Sequence, residues 1–514
     1  MLYYIAMKIF LNGDSLTIGK TVKIAREKAK VGIDPSALPR LTAARDYVDN
    51  VSAKKTPVYG INTGFGKFSD VLVNEKDVKL LQKNLLLSHA CGVGQPFDKE
   101  IVRGMLALRI NALVGGHSGV KPDTLELMAQ MLNLDIIPII PEKGSLGASG
   151  DLAPLSHMAL PLLGLGEVFY KGKITPTVEA FAKAGLVPVE LTAKEGLALI
   201  NGTQAMCSIS ALAAFDALNL LKTADIVASL TVEALTGITD AFDCRIHDLR
   251  GQKGQVSVAD NLRKLLAGSN LTSRQGELRV QDAYTLRCIP QIHGASRDSL
   301  SYVSEIVERE LNAVTDNPLI FHDTKECFSG GNFHGQYLSM AADYLAIAAA
   351  SLANVSERRV ERLVNPQLSN GLPAFLVREG GLNSGFMIPQ YVAAALVGEN
   401  KVLCHPASVD SIPSSANQED HVSMGMTAAR KARTVIENVT NVLGIELFCA
   451  CQAAELRGVE KLSMAGKAVF DLVRNVVPFI DNDVYMSPLI KKCTDLVRSG
   501  NVVKIVESIV GKLK

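Results

Sequence analysis

The sequence predicts a mostly α-helical protein built around long bundle helices. Of its 514 residues, 47% are hydrophobic and only 5% are aromatic, with no Trp, and Ala and Leu are abundant. Such a composition favours helices over sheets. From about Ala193 onward, long segments repeat apolar residues with the helical period. Several approach or exceed twenty residues, which is typical of bundle helices rather than of alternating strands and helices.

The first two hundred residues predict shorter elements separated by irregular segments. Two segments rich in Gly or Pro, Tyr59–Lys67 and Ile136–Gly150, lack a helical period, and such loops are connections or parts of a site. The elements predicted before and between them are a strand at Lys8–Leu11, a helix carrying Val22, Ile24 and Ala25, a helix ending near Val51 after the break at Asp34–Pro39, and helices at Val78–His89 and Lys99–Val114.

The remainder of the chain predicts long helices with two polar breaks, at Ser329–His334 and Ser414–Asp420. No linker marks a domain boundary, and we place the division between residues 1–200, an N-terminal domain, and residues 201–514, a long-helix bundle with C-terminal helices. The apolar-periodic segments are Gln204–Leu221, Ser299–Asn312, Met340–Leu363, Ser384–Glu399 and His421–Ala454.

Charge and cysteine usage argue against several classes of protein. The 53 Lys and Arg against 52 Asp and Glu give a net charge of +1, which predicts no nucleic-acid or anionic-membrane partner. Met1–Lys8 lacks a secretory signal, and the apolar stretches look too short or too interrupted to span a bilayer. Nine scattered Cys without zinc spacing indicate reduced thiols in a cytoplasmic protein and no metal site.

Common catalytic motifs are missing from the sequence. It contains no Walker A motif, no HExxH and no convincing dinucleotide-binding fingerprint. Gly147–Gly150 begins like the nucleophile elbow of serine hydrolases, but Asp151 stands where that motif needs Gly. A Ser-His-Asp hydrolase therefore receives little support.

The segment around Ala148-Ser149-Gly150 has two interpretations. It could be a loop that caps a helix, with Asp151 as N-cap and Pro154 in the first turn. Alternatively, the Gly150 nitrogen attacks the Ala148 carbonyl carbon, an approach that a residue without Cβ makes easiest. Loss of water from Ser149 then leaves 4-methylidene-imidazol-5-one, an electrophile made without an imported cofactor. A following helix N-terminus would favour negative charge there.

Several motifs in addition to this one resemble the aromatic amino-acid ammonia-lyases and aminomutases. They follow the family's order and cover about residues 55 to 455. The resemblance implies that family's fold: a mostly helical protomer, a smaller N-terminal active-site domain and a long central bundle, assembled as a homotetramer with shared sites. The motifs are Ala148–Leu155, Tyr59–Gly66, Asn201–Gln204, Gln281–Arg287, Thr315–Pro318, Gly330–His334 and Asn417–Ser423.

The resemblance also implies a role for each matching residue. Ala148, Ser149 and Gly150 would form the electrophile, and Tyr59 would take the β-proton. Arg287 would pair with the substrate carboxylate, for which a guanidinium fork is suited. Taken singly, each residue also has a structural interpretation, such as a salt bridge for Arg287. The other implied site residues are Tyr284, Gln281 and Asn201, which hydrogen-bond the electrophile or the substrate, and Phe333, which packs against the ring.

Two further places bear on the choice of substrate. Ser88-His89 resembles the Ser-His pair of histidine-specific members, and Gln418-Glu419 stands where aryl-specific members have Gln-Asp. His89 and Glu419 would pair both nitrogens of an imidazole, whereas a phenyl ring would leave the Glu419 carboxylate unpaired at a cost of about 1–3 kcal/mol. The implied reaction converts L-histidine to trans-urocanate and ammonia, the first step of histidine degradation.

Three alternatives stay open. A tyrosine or phenylalanine ammonia-lyase would use the same electrophile, and so would an aminomutase, which returns ammonia to the neighbouring carbon. A helical scaffold related to these enzymes but inactive is the third. Intact Ala148-Ser149-Gly150, Tyr59 and Arg287 speak against that last alternative.

Overall fold

The structure, a computed structural model of the chain, describes residues 8–53 and 56–514. The described chain is mostly helical, which confirms the predicted fold class. The expectation that the N-terminus carries no secretory signal falls largely on residues 1–7, which lie outside the described residues.

The helices and strands are as follows, in chain order. The strands are β1 (Ile9–Leu11), β2 (Val31–Ile33), β3 (Val93–Pro96), β4 (Ile137–Pro138), β5 (Pro141–Lys143), β6 (Glu167–Tyr170), β7 (Lys173–Pro176), β8 (Leu319–Phe321) and β9 (Glu326–Phe328). The helices are α1 (Ile18–Ala25), α2 (Leu38–Ser52), α3 (Val78–His89), α4 (Lys99–Val114), α5 (Pro122–Asn133), α6 (Leu152–Ala159), α7 (Thr177–Ala184), α8 (Glu195–Ile200), α9 (Gln204–Ala234), α10 (Cys244–Arg250), α11 (Lys253–Leu265), α12 (Tyr284–Arg287), α13 (Ile289–Glu310), α14 (Gln336–Val364), α15 (Met387–Leu403), α16 (Gly425–Arg457), α17 (Met464–Arg474), α18 (Ser487–Arg498) and α19 (Asn501–Val510).

The chain packs into two compact units. The first comprises the described residues of Met1–Phe215 with Ser304–Asp343 and Pro406–Arg430; the second comprises Asp216–Val303, Tyr344–His405 and Lys431–Lys514. The predicted division after residue 200 stays a prediction. By packing, the first unit also takes in residues 201–215 and two later segments.

Helix α4 lies at the centre of the first unit. Every residue from Ile101 to Val114 is buried, and α1 and α5 pack against the helix. The short strands pair with one another: β1 with β2 in parallel, β3 with β5 and β8 with β9 antiparallel, and β4, β6 and β7 in an antiparallel three-stranded sheet. Two arginines, Arg103 and Arg109, interrupt the apolar sequence of α4, and both are buried.

Three short helices of the first unit bring the ends of motif segments together. Helices α3, α6 and α8 pack against one another. Helix α3 ends at His89, α6 begins directly after Asp151, and α8 ends directly before Asn201. The packing of α3 on α8 includes a hydrogen bond from the Gly196 N–H to the buried Gln82 side chain, with 2.9 Å between N and Oε1. Segments distant in sequence therefore meet at one place.

The second unit contains a helical core with a buried ion pair. Arg359 on α14 contacts Glu446 on α16 with 2.5 Å between Nε and Oε1, and both side chains are fully buried. Glu446 also accepts hydrogen bonds from Ser356 and Thr231. Because a buried charge is costly unless it is paired and hydrogen-bonded, these contacts explain why the core tolerates it.

The expectation that no apolar segment is long enough to cross a membrane was wrong by length and composition. Within the described residues, three helical segments meet both requirements: Glu195–Ala234, Gln336–Val364 and Gly425–Arg457. In the most apolar stretch of each segment, the buried share is 100%, 67% and 83%, respectively. Their apolar character is thus explained by the protein core that these helices build.

Candidate active site

The first unit contains a cavity of about 1250 Å³ that brings most of the predicted site residues together. A smaller cavity of about 250 Å³ shares Ser88, His89, Ser149 and Glu419 with it and is also lined by Ala148 and Gly150. The predicted site residues that line the larger cavity are Tyr59, His89, Ser149, Asn201, Phe333, Gln418 and Glu419.

The loop that carries Ser149 is held from two sides. On one side, the Asp151 N–H donates to the Gly202 carbonyl at 2.7 Å. On the other, the Ser423 hydroxyl donates to the Gly147 carbonyl at 3.0 Å. Gly150 has a φ of +73°, and a Cβ there would lie 2.3 Å from the Gly202 oxygen. Only glycine fits this position, because both the space and the backbone conformation exclude a side chain.

Asp151 precedes α6, as predicted, but its side chain does not cap that helix. Its carboxylate accepts hydrogen bonds from the Met206 N–H and the Ser145 hydroxyl, both at 2.8 Å, so it lies at the N-terminus of α9. Burial raises the pKa of Asp151 to about 6, although these hydrogen bonds act in the opposite direction. The interpretation of Asp151 as a helix cap therefore missed a buried carboxyl group next to the loop that carries Ser149.

The Ser149 hydroxyl donates to Glu419, with 2.7 Å between Oγ and Oε1. The Ser414 hydroxyl donates to the second carboxylate oxygen at 2.9 Å. The backbone between Ser414 and Glu419 is strained. Its residues Ser415, Ala416 and Asn417 have φ values of 51°, 52° and 66°. Strained, non-glycine backbone of this kind persists only where the surroundings hold it, and it is concentrated at functional sites.

Tyr59 is partly buried at the wall of the cavity. Burial raises the pKa of Tyr59, a hydrogen bond with the Gly66 backbone lowers it, and the negative charges of Glu419 and Asp316 raise it further. The net effect is an increase in the pKa, so Tyr59 is a neutral phenol at neutral pH.

His89 is the last residue of α3, and its Nδ1 lies 2.9 Å from the Ser88 hydroxyl. Burial lowers the pKa of His89. A hydrogen bond with the Leu85 backbone and the negative charge of Glu419 raise this pKa, but by less than burial lowers it. A neutral imidazole results, which can present one donor and one acceptor. The cavity thus contains a neutral imidazole and a carboxylate that can both contact a ligand.

Asn201 supplies an unpaired polar atom. Its amide nitrogen donates to the Asn317 carbonyl at 3.0 Å, whereas its side-chain oxygen is buried without a hydrogen-bond partner. A buried acceptor left unpaired is costly, and such groups often serve a ligand.

The remaining three predicted residues, Gln281, Tyr284 and Arg287, belong to the second unit and are not among the residues lining this cavity. Tyr284 is 68% exposed. The Arg287 guanidinium lies 4.5 Å from the centre of the Tyr284 ring, and its Nε donates to the Asp282 carbonyl at 2.9 Å. Tyr284 and Arg287 thus contact each other, and Gln281 is exposed on the same short segment.

Metal ligands are not clustered in the part of the chain that the structure describes. Among these residues, no group of three or more His, Cys, Asp or Glu side chains could hold a metal ion.

Sequence and structure comparisons agree with this geometry. Residues 16–475 match the aromatic amino acid lyase family. The chain is 56% identical over 507 residues to histidine ammonia-lyase 2 of Fusobacterium nucleatum, covering 98% of this chain and 99% of the relative. It superposes on tyrosine aminomutase of Streptomyces globisporus with a TM-score of 0.95 and 39% identity, covering 99% and 100% of the two chains. Histidine ammonia-lyase of Trypanosoma cruzi gives a TM-score of 0.91 and 44% identity, covering 98% and 95%.

Proposed function

This chain belongs to the aromatic amino acid lyase family, and we propose that it eliminates ammonia from L-histidine to give trans-urocanate. The observation that carries the proposal is the position of Glu419, which hydrogen-bonds Ser149 and lines the same cavity as His89. Relatives named histidine ammonia-lyase, 51–56% identical over nearly the full length, support the same carbon–nitrogen lyase activity.

Recognition of the imidazole ring follows from His89 and Glu419. An imidazole carries two nitrogens that need partners, and a neutral histidine beside a carboxylate offers both a donor and an acceptor. Ser414 would still donate to one oxygen of Glu419, but the other oxygen loses its partner when the Ser149 hydroxyl group leaves. A phenyl ring could not donate to that oxygen, and a buried acceptor left unpaired costs about 1–3 kcal/mol. We assign Gln418, which lines the same cavity, to the substrate as well.

Ala148, Ser149 and Gly150 would hold and become the family's 4-methylidene-imidazol-5-one group. Two observations support the fit. Gly150 lies where the Gly202 backbone leaves no space for a Cβ, and a residue without Cβ is the one whose nitrogen can most easily approach a backbone carbonyl. Asn201, which lines the cavity, has a buried side-chain oxygen without a hydrogen-bond partner. When formed, the group supplies an electrophile that draws electrons from the substrate. We assign Phe333, at the cavity wall, to packing against it.

The other residues bind the substrate and move its proton. Elimination breaks the Cα–N and Cβ–H bonds and leaves a Cα–Cβ double bond. Tyr59 is the proposed base for the β-proton, and it must first lose its own proton. The positive charge of a bound substrate ammonium would favour that loss by lowering the raised pKa of Tyr59. Glu419 meanwhile orients the imidazole ring.

Arg287, Tyr284 and Gln281 are proposed to complete the site of a neighbouring subunit, where Arg287 would bind the substrate carboxylate. We therefore propose a homotetramer with shared sites. Exposed apolar side chains support assembly, because a soluble protein rarely leaves a continuous apolar stripe uncovered. Such a stripe follows one face of α14, and its members are Tyr337, Met340, Tyr344 and Ile347, which are 71%, 55%, 43% and 45% exposed.

A cytoplasmic location is also part of the proposal. None of the nine cysteines, all of which lie within the described residues, forms a disulfide, as expected in a reducing compartment. The net charge of +1 gives no reason to expect nucleic acid as a partner.

An aminomutase acting on an aromatic amino acid is the second candidate, favoured by the TM-score of 0.95 to tyrosine aminomutase. The two activities differ in product, because an aminomutase returns ammonia to the β-carbon. Glu419 favours histidine over an aryl substrate.

Separate incubation of the purified protein with L-histidine, L-tyrosine and L-phenylalanine tests the proposal. We expect free ammonia and a conjugated acrylate from histidine alone. A β-amino acid product, or turnover of tyrosine or phenylalanine without turnover of histidine, would contradict it.

A further inference from the structure

One turn of backbone, at Asn201-Gly202, separates Arg109 on α4 from the residues proposed to form the electrophile. The Arg109 side chain is fully buried, and the guanidinium donates in several directions. Nε donates to the Ala198 carbonyl at 2.9 Å, and Nη1 donates to the Gln204 side chain at 2.8 Å and to the Thr315 carbonyl at 2.9 Å. Nη2 donates to the carbonyls of Ala198 and, at 3.3 Å, Asn201. Arg109 thus joins the end of α8, the start of α9 and the segment at Thr315.

The turn at Asn201-Gly202 lies between this guanidinium and Ala148-Ser149-Gly150. We call these three residues, which are proposed to form the electrophile, the electrophile loop. A Cβ on Gly202 would lie 2.2 Å from Nη1 of Arg109, so the backbone packs directly against it. On its other face, the Gly202 carbonyl accepts from the Asp151 N–H at 2.7 Å. The same carbonyl oxygen closes the space in which a Cβ of Gly150 would lie. A shift of Arg109 would therefore be transmitted through one residue, Gly202, to Gly150.

We propose that Arg109 is a positioning residue for formation of the electrophile, because it fixes the Gly202 carbonyl that holds Gly150 and Asp151. The inference rests on the proposed function. It assigns to Arg109 a role in maturation of residues 148–150 and no contact with the substrate.

The chemistry that this placement serves consists of two losses of water. In the first, the Gly150 nitrogen bonds to the Ala148 carbonyl carbon. The carbonyl oxygen leaves with one hydrogen from each of the Gly150 and Ser149 nitrogens, and a carbon–nitrogen double bond forms to Ser149. In the second, Ser149 loses its hydroxyl group and its α-hydrogen and gains a double bond between Cα and Cβ. Ring closure depends on the approach of two backbone atoms, so small displacements slow it strongly.

An arginine is required here by the geometry of the acceptors. Three carbonyls and one amide oxygen surround it in different directions, and a planar fork with five donors can satisfy them together. Burial lowers the pKa of Arg109 to about 10, and the charge of Asp316 acts in the opposite direction. The guanidinium therefore stays protonated at neutral pH. A lysine ammonium would keep the charge but could not reach all of these acceptors.

Arg103 provides a matched control on the same helix. It too is buried, and it donates to the carbonyls of Ile24 and Leu132, both at 3.0 Å, and to Asp135 at 2.9 Å. These partners contain none of the residues that contact the electrophile loop. Arg103→Lys and Arg109→Lys should destabilise the fold in the same way, which separates a structural role from a role in maturation.

The test follows water loss during synthesis of the full-length chain in a cell-free system. Samples are quenched at intervals and digested with trypsin, and the peptide Gly144–Lys171 is weighed by mass spectrometry. We expect Arg109→Lys to slow the loss of two waters by about 10- to 100-fold, and Arg103→Lys to lose them at the wild-type rate. Gln204→Leu, which removes one acceptor of Arg109, should show a smaller delay and serves if Arg109→Lys does not fold.

Two different failures can be told apart. In the first, the wild-type peptide loses water, and Arg109→Lys loses it as fast as Arg103→Lys does. The same comparison is made with Gln204→Leu if Arg109→Lys does not fold. This result would refute the role of Arg109 and leave the proposed function standing. If active wild-type protein yields a peptide of unmodified mass, the proposed electrophile is refuted and the inference with it.

Discussion

Ser149 donates a hydrogen bond to Glu419, with 2.7 Å between Oγ and Oε1. These residues are 270 positions apart in sequence, and each belongs to a different motif. The residue proposed to become the electrophile therefore touches the residue proposed to hold the imidazole ring. A histidine side chain bound at Glu419 would lie against the reacting group, which links recognition of the ring to the chemistry of elimination.

Glu419→Gln tests this link. The amide keeps the length of the side chain and removes its charge, so the hydrogen bond to the imidazole weakens. We expect kcat/KM for histidine to fall by about 10- to 100-fold, as steady-state kinetics would measure. Ser414→Ala is the control, because it removes a neighbouring hydrogen bond but leaves the carboxylate. Unchanged histidine kinetics in Glu419→Gln would show that the carboxylate does not bind the ring.

Tyr59→Phe tests the proposed base. The substitution keeps the ring and removes only the hydroxyl group, so folding, assembly and maturation of Ser149 should be unaffected. Turnover of histidine should fall by at least about 10², since a positioned base contributes this much. Stopped-time product assays together with the mass of the Ser149 peptide separate the two effects. Turnover at the parent rate would make Tyr59 a packing residue and direct the search to Tyr284 or Glu419.

Mixing two inactive variants tests whether sites are shared between subunits. Ser149→Ala disables the cavity of the first unit, and Arg287→Ala removes the guanidinium proposed to bind the substrate carboxylate. If Arg287 serves a neighbouring subunit, mixed oligomers contain some complete sites and regain activity. Mixtures of Ser149→Ala with Tyr59→Phe should stay inactive, because both residues line one cavity. Equal behaviour of the two mixtures would argue that each subunit builds its site alone.

Glu233→Gln tests the electrostatics of the second unit. Glu233 accepts a hydrogen bond from the Ser463 N–H at 2.6 Å, and burial raises its pKa to about 6. Because the folded state holds this proton more tightly than the unfolded state, the wild type loses stability as the pH rises from the unfolded pKa to about 6. Relative to Glu233→Gln, this loss amounts to about 2 kcal/mol.

Melting temperatures of the two proteins at about pH 5 and about pH 7 measure the effect. We expect the wild type to fall relative to the variant at the higher pH. A constant difference between the two proteins would mean that Glu233 titrates normally.

Two helices of the first unit were predicted from the sequence with the correct bounds. Val78–His89 and Lys99–Val114 have the bounds that the structure gives them. Helix α9 was predicted to end at Leu221 but continues to Ala234. Its later turns carry buried polar side chains, among them Thr223, Asp225 and Glu233, which interrupt the apolar pattern that predicts a helix.

The residues that hold the electrophile loop through the Asn201-Gly202 turn could not be predicted in the same way. Arg109 stands in an otherwise apolar helical segment, which is a signal that a buried polar partner exists. Arg103 gives the same signal six residues earlier and lies among different partners. Only the packing of α4 against α8 and the Thr315 segment distinguishes the two, because the contacts depend on residues far apart in sequence.

The mass of the peptide Gly144–Lys171 from active enzyme tests the central claim most directly. If residues 148–150 form the electrophile, the peptide is lighter than its sequence by two waters. In Ser149→Ala, which cannot lose the hydroxyl group, at most one water is lost, and histidine turnover nearly disappears while the fold is kept. A peptide of unmodified mass, from protein that converts histidine at full rate, would contradict the account.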